Sequence, residues 1–236
     1  RVVVNICTQV YTHPKQILHY MKPQKIKRVF YYLFHDGIRG VSKVLDDRML
    51  MGSDLKLELV VKKQITGNSI KDYPEIVFKG AENPLVSIII PVYNQFDYTY
   101  ACLRSIFENT GDINYEIIIA DDCSNDLTKN ICEVVKGIHV EKTQGQSYFL
   151  RNCNHAAKAA KGKYIVFLNN DTQVQENWLK PLVDLMERDS KIGMAGSCLV
   201  YPDGRLQEAG GILWKDGSAW NFGNGHNPAM PEYRYV

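Results

Sequence analysis

Three short apolar runs end without a spacer in polar residues. Val86 to Ile90 runs into Pro91-Val92-Tyr93-Asn94-Gln95, Glu116 to Ala120 into Asp121-Asp122-Cys123-Ser124, and Tyr164 to Leu168 into Asn169-Asn170-Asp171. Runs this short, rich in β-branched and aromatic residues, fit sheet strands buried on both faces. Amphipathic segments separate them, and the repeat of strand, loop and helix from Asn83-Pro84 onward predicts an α/β fold with a largely parallel sheet covered by helices. In a parallel sheet all three polar ends fall on one edge, the carboxyl edge where ligands of such sheets gather.

The same patterning sets the other elements. Asp97 is placed to cap a helix through about Asn109, with Leu103, Ile106 and Phe107 on its buried face. A helix is expected from about Asp126 to Val135, a short strand near His139, and a helix capped by Ser147 that extends to about Ala160. Tyr164 to Leu168 reads as a central strand, Asn177 to Glu187 as a helix and Met194 to Tyr201 as a strand. Pro202-Asp203-Gly204 reads as a turn that sends the chain back through Arg205 to Leu213, and residues from Asn221 to Val236 as loop.

Composition narrows the class. A length of 236 residues suits one large α/β domain with an extension, or two small domains, and 23% charged residues with a formal net charge of +2 give no basic excess of the kind a nucleic-acid binder carries. The six cysteines (Cys7, Cys102, Cys123, Cys132, Cys153 and Cys198) form no CxxC pair and join no His cluster at zinc spacing, which favours reduced thiols and a cytoplasmic setting. No run approaches the roughly 20 apolar residues of a membrane span, and no signal peptide is recognisable. The chain opens on Arg1 without an initiator Met, as expected of a piece cut from something longer.

Residues 1 to 83 lack the later alternation and are expected to form an accessory region, partly helical. Ile26, Val29, Phe30, Leu33 and Phe34 recur at helical spacing beside Lys25, Lys27 and Arg28, and Val41, Val44 and Leu45 continue after Gly37 and Gly40. A pair of amphipathic helices results, suited to packing on the neighbouring domain or to docking on a partner or a membrane surface, at the inner face.

At the carboxyl edge the polar groups have a chemistry in common. Carboxylates offer ligands for a metal and a ribose, amides for a base, and Tyr93 a ring for stacking; together they suit a nucleotide diphosphate bound through Mg2+ or Mn2+, hard cations that prefer oxygen. Each group alone has a plain structural alternative, since Asp121 and Asp122 also suit a turn or a helix cap, Tyr93 a core, and Asn169 and Asn170 a turn.

The motifs resemble those of the family 2 glycosyltransferases, which have the nucleotide-diphospho-sugar transferase (GT-A) fold. The resemblance spans about residues 84 to 236. It rests on Val86-Ser87-Ile88-Ile89-Ile90-Pro91-Val92-Tyr93-Asn94, on Asp121-Asp122-Cys123-Ser124-Asn125-Asp126 and on Asn169-Asn170-Asp171. Gln144-Gly145-Gln146-Ser147 with Arg151-Asn152 is similar to the family's donor loop, and Tyr201-Pro202-Asp203-Gly204 with Glu208-Ala209-Gly210-Gly211 to the bacterial rhamnosyl- and surface-polysaccharide branch.

The resemblance implies roles position by position. Pro91, Val92 and Tyr93 would line the nucleotide pocket, Asn94 and Gln95 its rim, and Asp122 would hydrogen-bond the base. Gln95 stands where the family often has Glu. Gly145 would let backbone approach the donor and Arg151 would face the diphosphate. Asn169 and Asn170 would contact the nucleotide sugar, and because Asn169 replaces the usual first Asp of the metal motif, the cation would rest on Asp171.

The reaction implied is transfer of a sugar, with inversion, from a UDP- or dTDP-sugar to an acceptor hydroxyl on a glycan or lipid-linked molecule. A general base must take the hydroxyl proton. Asp203, Glu208, Asp216 and Glu232 are the late acids, and none lies in the Glu-Asp pair that the family uses, so the base is expected beyond Val236. A non-catalytic nucleotide-sugar-binding or scaffold module is the alternative. A receiver domain would leave Pro91 to Gln95 unexplained, and a dinucleotide oxidoreductase or a sugar nucleotidyltransferase needs a Gly-rich turn after the first strand that this chain lacks.

Overall fold

The computed structural model describes residues 59–230 and 233. The described residues divide into two compact units, Val60–Ala195 and a second that begins at Gly196. The expected helices between Ile26 and Leu45 lie outside the described residues.

The first unit is built on a four-stranded parallel sheet. Its strands are β2 (Val86–Val92), β3 (Tyr115–Asp121), β5 (His139–Lys142) and β6 (Tyr164–Phe167), in the order β5-β3-β2-β6. The whole of β2 is buried because strands flank it on both sides and side chains cover both its faces. On one face Val86, Ile88, Ile90, Ile117 and Ile119 pack against Tyr100, Leu103 and Ile106 of α1 (Phe96–Asn109). On the other, Ile89, Ile118 and Ala120 meet Ala156 at the end of α2 (Tyr148–Ala156). Fully burying one such aliphatic side chain stabilises by about 1.5–3 kcal/mol, so the alternation along β2 and β3 supplies much of the unit's cohesion.

Pro91 fits inside this central strand because of where its neighbour stops. Ile89 O accepts from Leu168 N at 3.0 Å and Val92 O accepts from Asp122 N at 2.9 Å, so Pro91, two residues after Ile89, faces the β6 side, where the pairing ends at Phe167. Its missing N–H falls at the end of that ladder and not within it. Gly162 serves the entry to β6: a Cβ on it would lie 2.5 Å from Ser87 N and 2.7 Å from the Val86 carbonyl carbon. Its N–H donates to Ser87 Oγ at 2.8 Å, and that hydroxyl donates to Glu116 Oε1 at 2.6 Å.

The expected boundary at residues 83 and 84 falls inside the first unit. Ile70, Tyr73, Ile76 and Phe78 belong to the same apolar core as the sheet, and β1 (Ile76–Val77) pairs in parallel with β4 (Val135–Lys136). Tyr73 stacks edge-on against Phe96 and Tyr100 and its hydroxyl bonds to the Asp97 carboxylate. Burial, and then that hydrogen bond, push the Tyr73 phenol up to about 12.

Several elements depart from the sequence expectation for local reasons. Asp97 sits within the first turn of α1; Gln95 holds the cap position in the left-handed region, and Asp126 Oδ2 accepts from Phe96 N at 3.1 Å from another loop. Phe107 is 50% exposed, with one edge against Phe78. The segment after Asp126 forms 3-10 turns over Leu127–Glu133. Ser147 precedes α2 without capping it by its side chain, and the α-helix ends at Ala156, short of Ala160. Strand β6 is an edge strand and is open on one face, with Ile165 44% and Phe167 51% exposed, where a central strand buried on both faces was expected. Asn177 lies in the left-handed region and α3 starts at Lys180, running to Arg188.

In the second unit only Leu199–Val200 of the expected strand over 194–201 is formed, as β7, because pairing begins where β8 (Leu206–Glu208) comes alongside. The expected turn is present, with Gly204 N donating to Tyr201 O at 2.8 Å. A second hairpin joins β9 (Gly211–Leu213) to β10 (Ala219–Asn221). No helix among the described residues is long and apolar enough to cross a membrane.

Candidate donor site

The loop after β3 organises the carboxyl edge. Asp121 Oδ1 accepts from Ser124 N at 2.9 Å, which closes the turn on itself. Asn94, at the end of β2, is woven into the same loop: its N–H donates to Ser124 Oγ at 2.8 Å, and its Oδ1 accepts from Asn125 N at 2.7 Å and Asp126 N at 3.3 Å. Asp126 then caps both its own 3-10 turn, at Thr128 N, and α1, at Phe96 N. The structure thus brings two of the three expected walls into direct contact.

Asp122 faces the other way. Its Oδ1 accepts from Ser147 N at 2.6 Å, Ser147 Oγ at 2.9 Å and Thr143 Oγ1 at 3.1 Å, and its Oδ2 accepts from Tyr148 N at 2.9 Å. A carboxylate from a neighbouring strand therefore serves as the N-cap of α2, and its negative charge suits that helix end. Burial raises the Asp122 carboxyl, but the donors from Ser147, Tyr148 and Thr143 outweigh it and hold the group below the usual aspartate range. Each oxygen is engaged, and a base read by Asp122 would share Oδ2 with Tyr148 N.

The remaining residues frame these loops. Pro91 and Val92 are buried at the strand end, while Tyr93 is 50% exposed and presents its ring at the edge. Gly145 is exposed, and a Cβ there would meet nothing within 4 Å. Arg151 is exposed on α2. Asn94, Gln95, Cys123 and Tyr148 all have positive φ, four of the five such non-glycine residues among those described. Backbone strain of this kind, about 1–3 kcal/mol per residue, concentrates at functional sites.

The third wall is held by α1. Asn170 Nδ2 donates to Thr99 Oγ1 at 3.0 Å, and Asn169 O accepts from Thr172 Oγ1 at 2.7 Å and from the Cys102 thiol at 3.7 Å. Burial pushes that thiol up to about 12, so Cys102 is a packing residue and no nucleophile. Asn169 and Asp171 are exposed. Among the described residues no three His, Cys, Asp or Glu side chains converge. A lone carboxylate with amide oxygens fits a cation that is shared with phosphate oxygens and water, the usual arrangement for Mg2+ at nucleotides, and does not fit an all-protein cage.

Two late acids are used in turns. Asp203 accepts from Arg205 N and Nε and Asp216 from Ser218 N and Oγ, and these donors hold both carboxyls below the usual range. Glu208 lies in β8, and Glu232 lies outside the described residues.

The model for glycosyl transferase family 2 matches residues 87–229, more than half of the chain and all three walls. The chain belongs to that family. Among its relatives, this family 2 chain is 34% identical to TuaG of Bacillus subtilis over 126 residues, 51% of this chain and 50% of TuaG, whose name assigns it to teichuronic acid biosynthesis as a glycosyltransferase. It is 31% identical to the glycosyltransferase GlyG of Streptococcus pneumoniae, over 46% of this chain and 37% of GlyG. It is 30% identical to the O-antigen biosynthesis protein RfbC of Myxococcus xanthus, over 58% of this chain and 11% of RfbC. The family 2 chain thus spans half or less of the length of these relatives. TarS of S. aureus, solved in complex with UDP-GlcNAc, shares 26% identity over 44% of this chain and 31% of its own, with a TM-score of 0.40, too low to add to the fold.

Proposed function

We propose that the chain carries the donor site of a glycosyltransferase, one that moves a sugar from a nucleoside-diphospho-sugar to an acceptor hydroxyl in the making of surface polysaccharide. The single observation that supports it most is the interlocking of the β2 and β3 ends through Asn94, Ser124 and Asp126, at a strained edge, in a member of glycosyl transferase family 2. The names of TuaG and RfbC support the polysaccharide setting.

In this reading Pro91, Val92 and Tyr93 line the base and ribose pocket, with Asn94 and Gln95 at its rim and Asp122 beside the base. Gly145, Asn169 and Asn170 border the sugar diphosphate and Arg151 faces its charge. Asp171 would hold a divalent cation, Mn2+ or Mg2+. The cation supplies charge stabilisation for the departing diphosphate. The acceptor oxygen bonds to the anomeric carbon as the bond from that carbon to the diphosphate oxygen breaks, which inverts the centre, and the hydroxyl proton passes to a carboxylate base outside the described residues. UDP- or dTDP-sugars are the donors proposed, a glycan or lipid-linked glycan the acceptor, and the cytoplasmic side of the membrane the setting.

Calorimetry with a panel of nucleotide sugars in the presence of Mn2+, followed by hydrolysis and transfer assays, tests the proposal. Cation-dependent binding with turnover is expected. Binding without turnover leaves a donor-binding module, and no binding by any donor defeats both readings.

A further inference from the structure

Asn152 follows Arg151 on α2 and is 2% exposed. Its Nδ2 donates to Ala120 O on β3 across 2.7 Å, while its Oδ1 has no hydrogen-bond partner. A buried acceptor left unpaired is costly, and the surroundings here are apolar: Ile89, Ile118, Ala120 and Ala156 share this face of the sheet. For packing alone, an aliphatic side chain would serve better. The amide is explained by what its Nδ2 does to the helix.

Helix α2 is anchored to β3 at two points. Asp122 holds its first N–H groups, at Ser147 and Tyr148, and Asn152 holds it one turn later at Ala120. The anchor at the tip fixes where the helix begins, and burial of Cys153 and Ala156 turns its apolar side to the sheet. The directional bond of Asn152, on that same side, narrows the rotation that apolar packing alone leaves loose. Residue 151 projects about 100° around the helix from residue 152, so the rotation that Asn152 sets is also the direction in which Arg151 leaves the sheet edge. A turn of roughly 20° would carry a guanidinium standing roughly 8 Å off the axis by about 3 Å, enough to break a charge-assisted hydrogen bond.

We infer that Asn152 is a positioning residue for the donor: it locks the rotation of α2 so that Arg151 meets the diphosphate. This rests on the donor reading above.

The test is a double-mutant cycle read by calorimetry on the full chain, with UDP and Mn2+ and with uridine alone. Arg151→Ala and Asn152→Leu should each weaken UDP about tenfold, the size expected for one hydrogen bond to a charged group. The double variant should be within about twofold of Arg151→Ala, because two residues acting through one contact do not add. Uridine affinity should be unchanged by Asn152→Leu. Additive losses near a hundredfold, or equal weakening of uridine and UDP, would overturn the inference while leaving the donor reading in place. If Asn152→Leu does not fold by circular dichroism, Asn152→Ala replaces it, and failure of both to fold overturns the inference in favour of a purely structural residue. An Arg151→Ala variant with full UDP affinity overturns the inference and the role given to Arg151 while leaving the donor reading in place, whereas a parent protein that does not bind UDP overturns the donor reading and the inference with it.

Discussion

Asp122 shows how one side chain carries two kinds of information. The motif predicts a group that reads a base, and the structure shows a buried carboxylate that caps α2 through Ser147 and Tyr148. Because its proton affinity is depressed in the fold, its contribution to stability is present above the ordinary aspartate pKa of about 3.9 and is lost as the pH falls through its lower folded value. Asp122→Asn should remove the acceptor for one of these donors, cost about 1–2 kcal/mol in urea unfolding, and flatten the dependence of stability on pH below about 4. An unchanged pH profile would mean that another acid dominates. The acids of the motif were legible in the sequence, whereas their partners were not. Ser147 lies 25 residues from Asp122 and Phe96 lies 30 from Asp126, and no local pattern announces a cap supplied from another strand.

At the level of elements, periodicity located β2, β3 and α1 because each satisfies its backbone and its apolar face in the same way along its length. It misjudged β6, whose sequence is as apolar as a buried strand but whose side chains at Ile165 and Phe167 remain open. Alternation cannot tell an edge strand from a central one when both faces are apolar. The approach of the chain to β6 is sharply limited by Gly162, whose missing Cβ leaves room for the Val86–Ser87 backbone. Gly162→Ala should therefore force the sheet apart locally and destabilise by about 1–3 kcal/mol, measured by the urea midpoint. A neutral effect would show that the entry to β6 is loose.

For the molecule as a whole, the parallel sheet with helices on both faces follows the sequence expectation, and the place of residues 60–83 does not. Their lack of strand and helix alternation hid four core side chains, Ile70, Tyr73, Ile76 and Phe78, carried on short irregular segments. At about 1.5–3 kcal/mol each, their burial is comparable to the net stability of a domain, about 5–15 kcal/mol. A chain starting at Asn83 should therefore lose cooperative unfolding that a chain starting at Val60 keeps; equal midpoints would show that this segment is dispensable. The proposed donor site would rest its cation on a single carboxylate, that of Asp171. Calorimetric titration of UDP- and dTDP-sugars into the full chain, with and without Mn2+, and into Asp171→Ala, tests it most directly. Binding that needs Mn2+ and falls at least tenfold in a folded Asp171→Ala protein is the expected result, since one ligand carries the ion. Cation-dependent affinity that survives the substitution would contradict the assignment of the site.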